Sequence, residues 1–294
     1  GEWTIKDFQM QKPLKMNLLK IKPITGQGNS KVFYAENIYR QKICLKFYPI
    51  DFNHDRINSE FNGLKEISKE NKNVAIPFWK NKDAQICAYK WVDGEKIHNP
   101  SFQDIDLMLN FLKHLHQRRI KKNFISFSHA ASSCLSGYEI ELQLNNRINQ
   151  FIKINDKNLR LFINKKLLPI KECLIKRAKN ILTEKLYCKK LAQDELTLSP
   201  SDFGFHNTIK NKDGKLIFLD FEYFGWDDPI KLIADFYFHP GNKLSPKQKN
   251  YWLKKSIKLY NIKNKNRLLG LMPLYGLCWT LIILNEYKKS EWLK

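Results

Sequence analysis

Three side chains of complementary chemistry stand at telling intervals in the second half of this 294-residue chain. Asp202 precedes Asn207 by five positions in Leu198-Ser-Pro-Ser-Asp-Phe-Gly-Phe-His-Asn207, and Asp220 follows an apolar run in Leu216-Ile-Phe-Leu-Asp-Phe-Glu222. A carboxylate can accept the proton of an attacking hydroxyl, while an amide oxygen and a second carboxylate are hard donors for a divalent cation. Base, amide and acid in that order suit phosphoryl transfer. That reaction needs an in-line hydroxyl whose proton has somewhere to go, and metal to neutralise the charge spread over the phosphate oxygens. On this reading Asp202 is the catalytic base, Asn207 and Asp220 hold metal, and Glu222 assists them. The competing reading is an ordinary surface hairpin with acids at its ends, because short motifs match by chance.

The flanking pattern says how such residues could be brought together. Thr208-Ile-Lys210 and Lys215-Leu-Ile-Phe-Leu219 enclose Asn211-Lys-Asp-Gly214, and Asp-Gly between two apolar runs predicts a hairpin that returns Asp220 to the side of Asn207. Upstream, Met16–Pro23 and Lys31–Glu36 read as strands joined by a loop containing Gly26, Gly28, Asn29 and Ser30. Glycine there permits close approach of backbone N–H groups to phosphate, although most Gly-x-Gly hairpins bind nothing. A third strand, Lys42–Tyr48, carries Lys46, and the following segment 51–70 reads as a helix with Leu64 and Ile67 on one face and Glu60 mid-helix. A lysine on the third strand paired with a glutamate on the next helix is an arrangement that holds ATP phosphates; a solvated lysine in a very basic chain is the alternative. Strands at Val74–Trp79 and Ala84–Tyr89 precede a hinge at Lys90–Gly94. Beyond it, 99–116, 138–154 and 169–186 repeat apolar residues at helical spacing, and Leu268–Leu284 reads as a buried helical segment rather than a membrane span.

With these motifs in place, the chain resembles the aminoglycoside phosphotransferase and choline kinase family, whose members share the protein-kinase-like fold. Gly26-Gln-Gly-Asn-Ser30 is similar to the family's nucleotide loop, Lys46 and Glu60 to its phosphate-holding pair, Ser201-Asp-Phe-Gly-Phe-His-Asn207 to its catalytic loop, and Leu219-Asp-Phe-Glu-Tyr223 to its metal segment. The resemblance implies an α+β, bilobal fold, with a small antiparallel-sheet nucleotide-binding lobe over 1–92. A larger, mainly helical lobe over 93–294 would carry the catalytic loop and acceptor site. It further implies ATP and magnesium as cofactors, adenine at the backbone of Lys90 and Val92, and a small-molecule hydroxyl acceptor. Asp-Phe-Glu-Tyr looks like choline and ethanolamine kinases, which favours an amino alcohol ahead of a sugar or aminoglycoside. Two positions depart from the pattern. Pro200 stands where the family usually has His two residues before the base, and Lys231 or Leu232 where it has an acid bracing the catalytic loop, with Asp235 one helical turn further on as a substitute.

Composition raises a rival function. A net charge of +22 and a pI near 9.6 attract polyanions such as nucleic acid. The lysines are scattered and form no basic block or recognised nucleic-acid module, so no nucleic acid is expected as a partner. Between Asp220 and Phe238 the balance reverses, with five acids against Lys231. A local acidic site suits metal or a cationic substrate, and Tyr223, Trp226 and Asp227 are candidates for a wall around an ammonium group, although aromatics are more often core. Asp228 before Pro229 reads as a helix N-cap. His206, lacking a second His at ligand spacing, reads as a local structural or substrate-side residue. Six cysteines without a Cys-x-x-Cys pair read as buried thiols in a reducing compartment, and with no apolar signal core at the N-terminus a cytoplasmic location is expected. A non-catalytic nucleotide-binding protein of the same fold is a further alternative, against which the joint presence of Lys46, Asp202, Asn207 and Asp220 argues.

Overall fold

A computed structural model describes residues 18–24 and 30–288, which group into two compact units. The first unit holds the described residues up to Asn99 together with Ile120–Ala131 and Phe205–Gly225. Its centre is a five-stranded antiparallel sheet of β1 (Leu18–Ile24), β2 (Lys31–Asn37), β3 (Lys42–Phe47), β4 (Pro77–Asn81) and β5 (Ile86–Lys90), ordered β1-β2-β3-β5-β4. Phe33 and Ala35 alternate inward on β2 and meet Ile43 and Leu45 of β3 and Ala88 of β5 in one apolar cluster, as period-two patterning requires.

Helix Arg56–Ile67 follows β3. The sequence pattern starts this helix at Asp51, but the chain turns helical five residues later, because Asp55 caps it by accepting from the Asn58 N–H at 3.1 Å. Its inner face carries Ile57, Glu60, Phe61, Leu64 and Ile67. Glu60 is thus forced inside with the apolar residues, and a buried carboxylate needs a partner.

The predicted hairpin forms from Thr208–Lys210 and Leu216–Phe218 in register Thr208↔Phe218 to Lys210↔Leu216. The Asn211 side chain accepts from the N–H groups of Asp213 and Lys215, and Gly214 takes φ +74°, which closes the turn. Glu95–Lys96 adds a third strand, and Ala75 N–H donates to the Phe218 carbonyl at 3.1 Å. These backbone bonds place the hairpin with the sheet-bearing unit, whereas a linear division at residues 92 and 93 assigns it to the second lobe. Gly94, φ +157°, lets the chain pass the hairpin where a Cβ would lie 2.5 Å from the Lys210 carbonyl oxygen.

The second unit comprises Pro100–Arg119, Ser132–Gly204 and the chain from Trp226 onward. It is mainly helical, with helices Phe102–Arg118, Gly137–Ile152, Leu168–Leu182, Pro229–Phe238, Pro246–Leu259 and Lys265–Ile283. Ile140, Leu144, Ile148 and Phe151 form the inward stripe of one of them, packed with Ile175, Ala178 and Leu182 of the next. The expected helix over 169–186 is interrupted at Thr183, whose φ of +69° is incompatible with helix, and resumes over Glu184–Cys188. Among the described residues the helix over Lys265–Lys288 has the length and hydropathy of a membrane span, and its Leu271, Leu274, Tyr275, Cys278 and Leu281 pack into the core. The six cysteines are free thiols; Cys173 and Cys188 are exposed rather than buried, because each lies on the outer face of its helix.

Candidate active site

Lys46 is the centre of a buried charge cluster in the first unit. Its Nζ donates to Glu60 Oε2 and Asp220 Oδ1, both at 2.7 Å, and lies 3.4 Å from Glu222 Oε2. Burial alone would lower the lysine pKa, but the charges of Asp220, Glu60 and Glu222 together hold it well above the usual range, so the ammonium stays charged. Glu60 is held further by the Tyr48 hydroxyl at 2.6 Å and, through its other oxygen, by the Phe221 N–H at 3.1 Å. One carboxylate of helix Arg56–Ile67 therefore ties together β3 and the segment that carries Asp220. Asp220 itself adopts φ +63°, a left-handed conformation rare for residues other than glycine and enriched at functional positions.

The Asn207 carbonyl accepts from the Leu219 N–H at 2.9 Å, so the hairpin returns Asp220 to Asn207 as its turn sequence predicts. Asn207, Asp220, Glu222, Lys46 and Ser30 line one cavity of about 790 Å³, and Lys90 and Val92 also line it. Its apolar wall includes Ile24, Val32, Cys44, Ala75 and Leu219, the mixture of apolar walls and few convergent polar groups expected of a ligand site. Gly26, Gly28 and Asn29 lie outside the described residues. Ser30 adjoins them, and its hydroxyl donates to Glu222 Oε2 at 2.6 Å.

The donor set fits a divalent cation at Asn207 and Asp220. Both present hard oxygen atoms to the same cavity, and Asp220 is about one-third exposed. Glu222 is differently placed: it is buried and bound by Arg56 Nη1 at 3.1 Å as well as by Lys46 and Ser30. One of its carboxylate oxygens also lies within 4.8 Å of an oxygen of Asp220 and one of Glu60, so the three acids form a group that could hold a metal ion. Arg56 is a residue the sequence pattern did not single out. Its guanidinium also pairs with Asp51 at 2.9 Å and lies 4.8 Å from the centroid of the Tyr223 ring. The only signal was its position four residues before Glu60, one turn along the same helix. Another is His54, whose Nε2 lies 3.0 Å from the Glu222 carbonyl and whose pKa is lowered, mainly by burial.

The three residues expected to wall a cation, Tyr223, Trp226 and Asp227, are already engaged or buried within their own units. The Tyr223 ring already faces Arg56, and Trp226 and Asp227 are buried in the second unit. Every acid of the run from Asp220 to Asp235 has an internal cation: Lys46 for Asp220, Arg56 and Lys46 for Glu222, Lys231 for Asp227 and Asp235, and Arg267 for Asp228. Asp228 also caps helix Pro229–Phe238 as its sequence predicts, accepting from the Ile230 N–H at 2.9 Å. Lys231 Nζ lies 2.5 Å from Asp235 and 3.5 Å from Asp227, so Asp227 is the weaker partner. Burial pushes its carboxyl up to about 7, against the opposing charge of Lys231. Because this folded-state value lies above the ordinary carboxyl value of 3.8, the associated stability is complete below pH 3.8 and is lost as pH rises through about 7. Raising the pH from 5 to 8 should therefore lower the melting temperature, and Asp227→Asn should flatten that dependence; an unchanged slope in the variant would assign the effect to other groups.

Asp202 belongs to the second unit. It follows strand Thr197–Ser199 through Ser201, whose φ is +68° and whose N–H donates to the Ser199 hydroxyl at 2.9 Å. Its carboxylate is partly exposed and lies 3.6 Å from His239 Nε2.

The described architecture matches several solved structures over nearly its whole length. An amicoumacin kinase in complex with AMP-PNP and Ca2+ aligns with a TM-score of 0.62 at 15% identity, covering 97% of this chain and 86% of the other. The choline kinase LicA from Streptococcus pneumoniae gives 0.59 at 14%, covering 98% and 92%. A spectinomycin phosphotransferase in complex with ADP gives 0.58 at 16%, covering 88% and 85%. The chain has the protein-kinase-like fold of these small-molecule kinases. No sequence-family model and no curated protein sequence matches it. At identities this low the likeness is one of fold, and it agrees with the α+β, bilobal architecture implied by the motif resemblance.

Proposed function

We propose that this chain is an ATP-dependent small-molecule kinase, transferring the γ-phosphoryl group to a hydroxyl with magnesium as cofactor. The observation that carries this reading is the convergence of Lys46, Asn207 and Asp220 on one cavity, with Lys46 fixed by Glu60. Lys46 would position the phosphates, and Asn207 and Asp220 would hold magnesium, which neutralises charge on the phosphate oxygens when bound. The motif resemblance implies that adenine meets the backbone of Lys90 and Val92, and both residues line the cavity. Asp202 would take the proton of the acceptor hydroxyl.

The acceptor reading follows the motif more than the electrostatics. Asp220-Phe-Glu-Tyr223 supports an amino alcohol, but the acids once available to hold its ammonium group are internally paired. A panel of choline, ethanolamine, simple sugars and an aminoglycoside, assayed for ADP formed from ATP, separates these classes. Absence of turnover across a broad panel of hydroxyl compounds, together with tight, salt-sensitive binding of RNA or DNA, would overturn the kinase reading in favour of the basic surface.

Asp220→Ala should weaken ATP binding in the presence of magnesium while leaving the weaker metal-free binding unaffected or improved, since it removes a metal-binding carboxylate and one negative charge. Fluorescence titration with a methylanthraniloyl ATP analogue over a magnesium series measures this directly. Identical magnesium dependence in wild type and variant would remove Asp220 from the metal site.

A further inference from the structure

In the second unit His239 lies beside Asp202. His239 follows helix Pro229–Phe238, and its Nδ1 accepts a hydrogen bond from the Gly241 N–H at 2.9 Å. A ring nitrogen that accepts carries no proton, so the neutral imidazole keeps its proton on Nε2, the atom 3.6 Å from Asp202 Oδ1. That separation is longer than a hydrogen bond, and such contacts in ligand-free catalytic sites commonly tighten when substrate binds.

The ring is not free to turn away. The Trp279 indole meets it edge-on, with centroids 4.7 Å apart and planes inclined at 66°. Trp279 in turn is fixed by its Nε1 donating to Asp235 Oδ1 at 2.9 Å, and the other oxygen of Asp235 is held by Lys231. Contacts therefore run without a break from the buried Asp227–Lys231–Asp235 cluster through Trp279 and His239 to Asp202.

We infer that His239 is a positioning residue for the base, held by the Lys231-centred cluster, and that together they replace the missing histidine at Pro200 and the missing bracing acid at Lys231 or Leu232. This rests on the reading of Asp202 as the base. An N–H donor on one carboxylate oxygen would orient the other toward the acceptor. In the step served, the acceptor O–H bond breaks with its proton passing to Asp202, the acceptor oxygen bonds to the γ-phosphorus, and the bond from that phosphorus to the bridging oxygen breaks to release ADP.

The test measures ADP formation from magnesium-ATP, with water alone and with each acceptor of the panel, alongside binding of methylanthraniloyl-ADP. His239→Leu should lower the turnover number about tenfold or more with nucleotide affinity within twofold of wild type. His239→Gln, whose amide N–H reaches about as far as Nε2, should recover most of that loss, which a purely structural role would not predict. In the Asp202→Asn background, His239→Leu should cause no further decrease, because the residue acts through the one already disabled. Full turnover in His239→Leu, a glutamine variant no better than leucine, or losses that multiply in the double variant would each overturn the inference while leaving the kinase reading intact. A wild-type protein that forms no ADP under any of these conditions, or an Asp202→Asn variant that retains full turnover, would overturn both.

Discussion

Lys46→Met should lower the melting temperature by roughly 10 °C and reduce ATP turnover to background. Lys46 is buried and its ammonium neutralises Glu60, Asp220 and Glu222, one carboxylate oxygen of each lying within 4.8 Å of one from each of the others. Methionine fills a similar volume but leaves three acids with Arg56 as the nearby cation on Glu222. Removing one partner of a buried ion pair costs about 3–5 kcal/mol, and for a chain of this size each kcal/mol shifts the melting temperature by roughly 2–4 °C. The deficit should shrink on acidification, because burial already raises the Glu60 carboxyl and, with its ammonium partner gone, protonating it would relieve the repulsion. A thermal melt at pH 5 and pH 8 checks both the size and the sign. A variant that melts with wild type at pH 8 would show that the cluster is loosely solvated, returning Lys46 to the surface role that a lysine-rich composition suggests.

The parts of this site legible in the sequence were those that local rules bring together. Asn207 and Asp220 could be paired because an Asp-Gly turn between two apolar runs fixes a hairpin, and the hairpin formed. Lys46 and Glu60 could be paired because a strand followed by a helix leaves few ways to bury an acid among Phe61, Leu64 and Ile67. Asp228 was readable as a cap because capping depends on its immediate neighbours. What misled was charge counted along the chain. The run from Asp220 to Asp235 looks like an acidic pocket, but Arg56 and Arg267 lie far from it in sequence and Lys231 within it, and folding gives each carboxylate a cation. Trp226 and Asp227, candidates for a wall around a cation, lie buried in the second unit. Linear charge does not say which groups share a dry interior, where an unpaired carboxylate is untenable. The helix boundaries at Asp55 and Thr183 were set by a cap and by a left-handed residue, neither of which apolar periodicity reports.

Asp202→Asn should lower phosphoryl transfer to a hydroxyl acceptor by at least about a hundredfold, the lower end for losing a positioned general base, while leaving the fold and nucleotide affinity nearly unchanged. The carboxylate is partly exposed and is not among the groups lining the cavity that holds Lys46 and Asp220. An amide of the same shape therefore imposes little strain on the native state, in contrast to Lys46→Met. The two substitutions test separate parts of the mechanism. Loss of Lys46 should damage stability and nucleotide placement together, whereas loss of Asp202 should appear in the turnover number with the KM for ATP unchanged, the signature of an interaction used in the transition state rather than in binding. Steady-state kinetics on an acceptor found in the panel, with a methylanthraniloyl-ADP titration of the same preparations, distinguishes the cases. An Asp202→Asn protein that binds nucleotide and turns over at the wild-type rate would remove Asp202 from the chemistry, and the proton of the acceptor would then have to leave by another group.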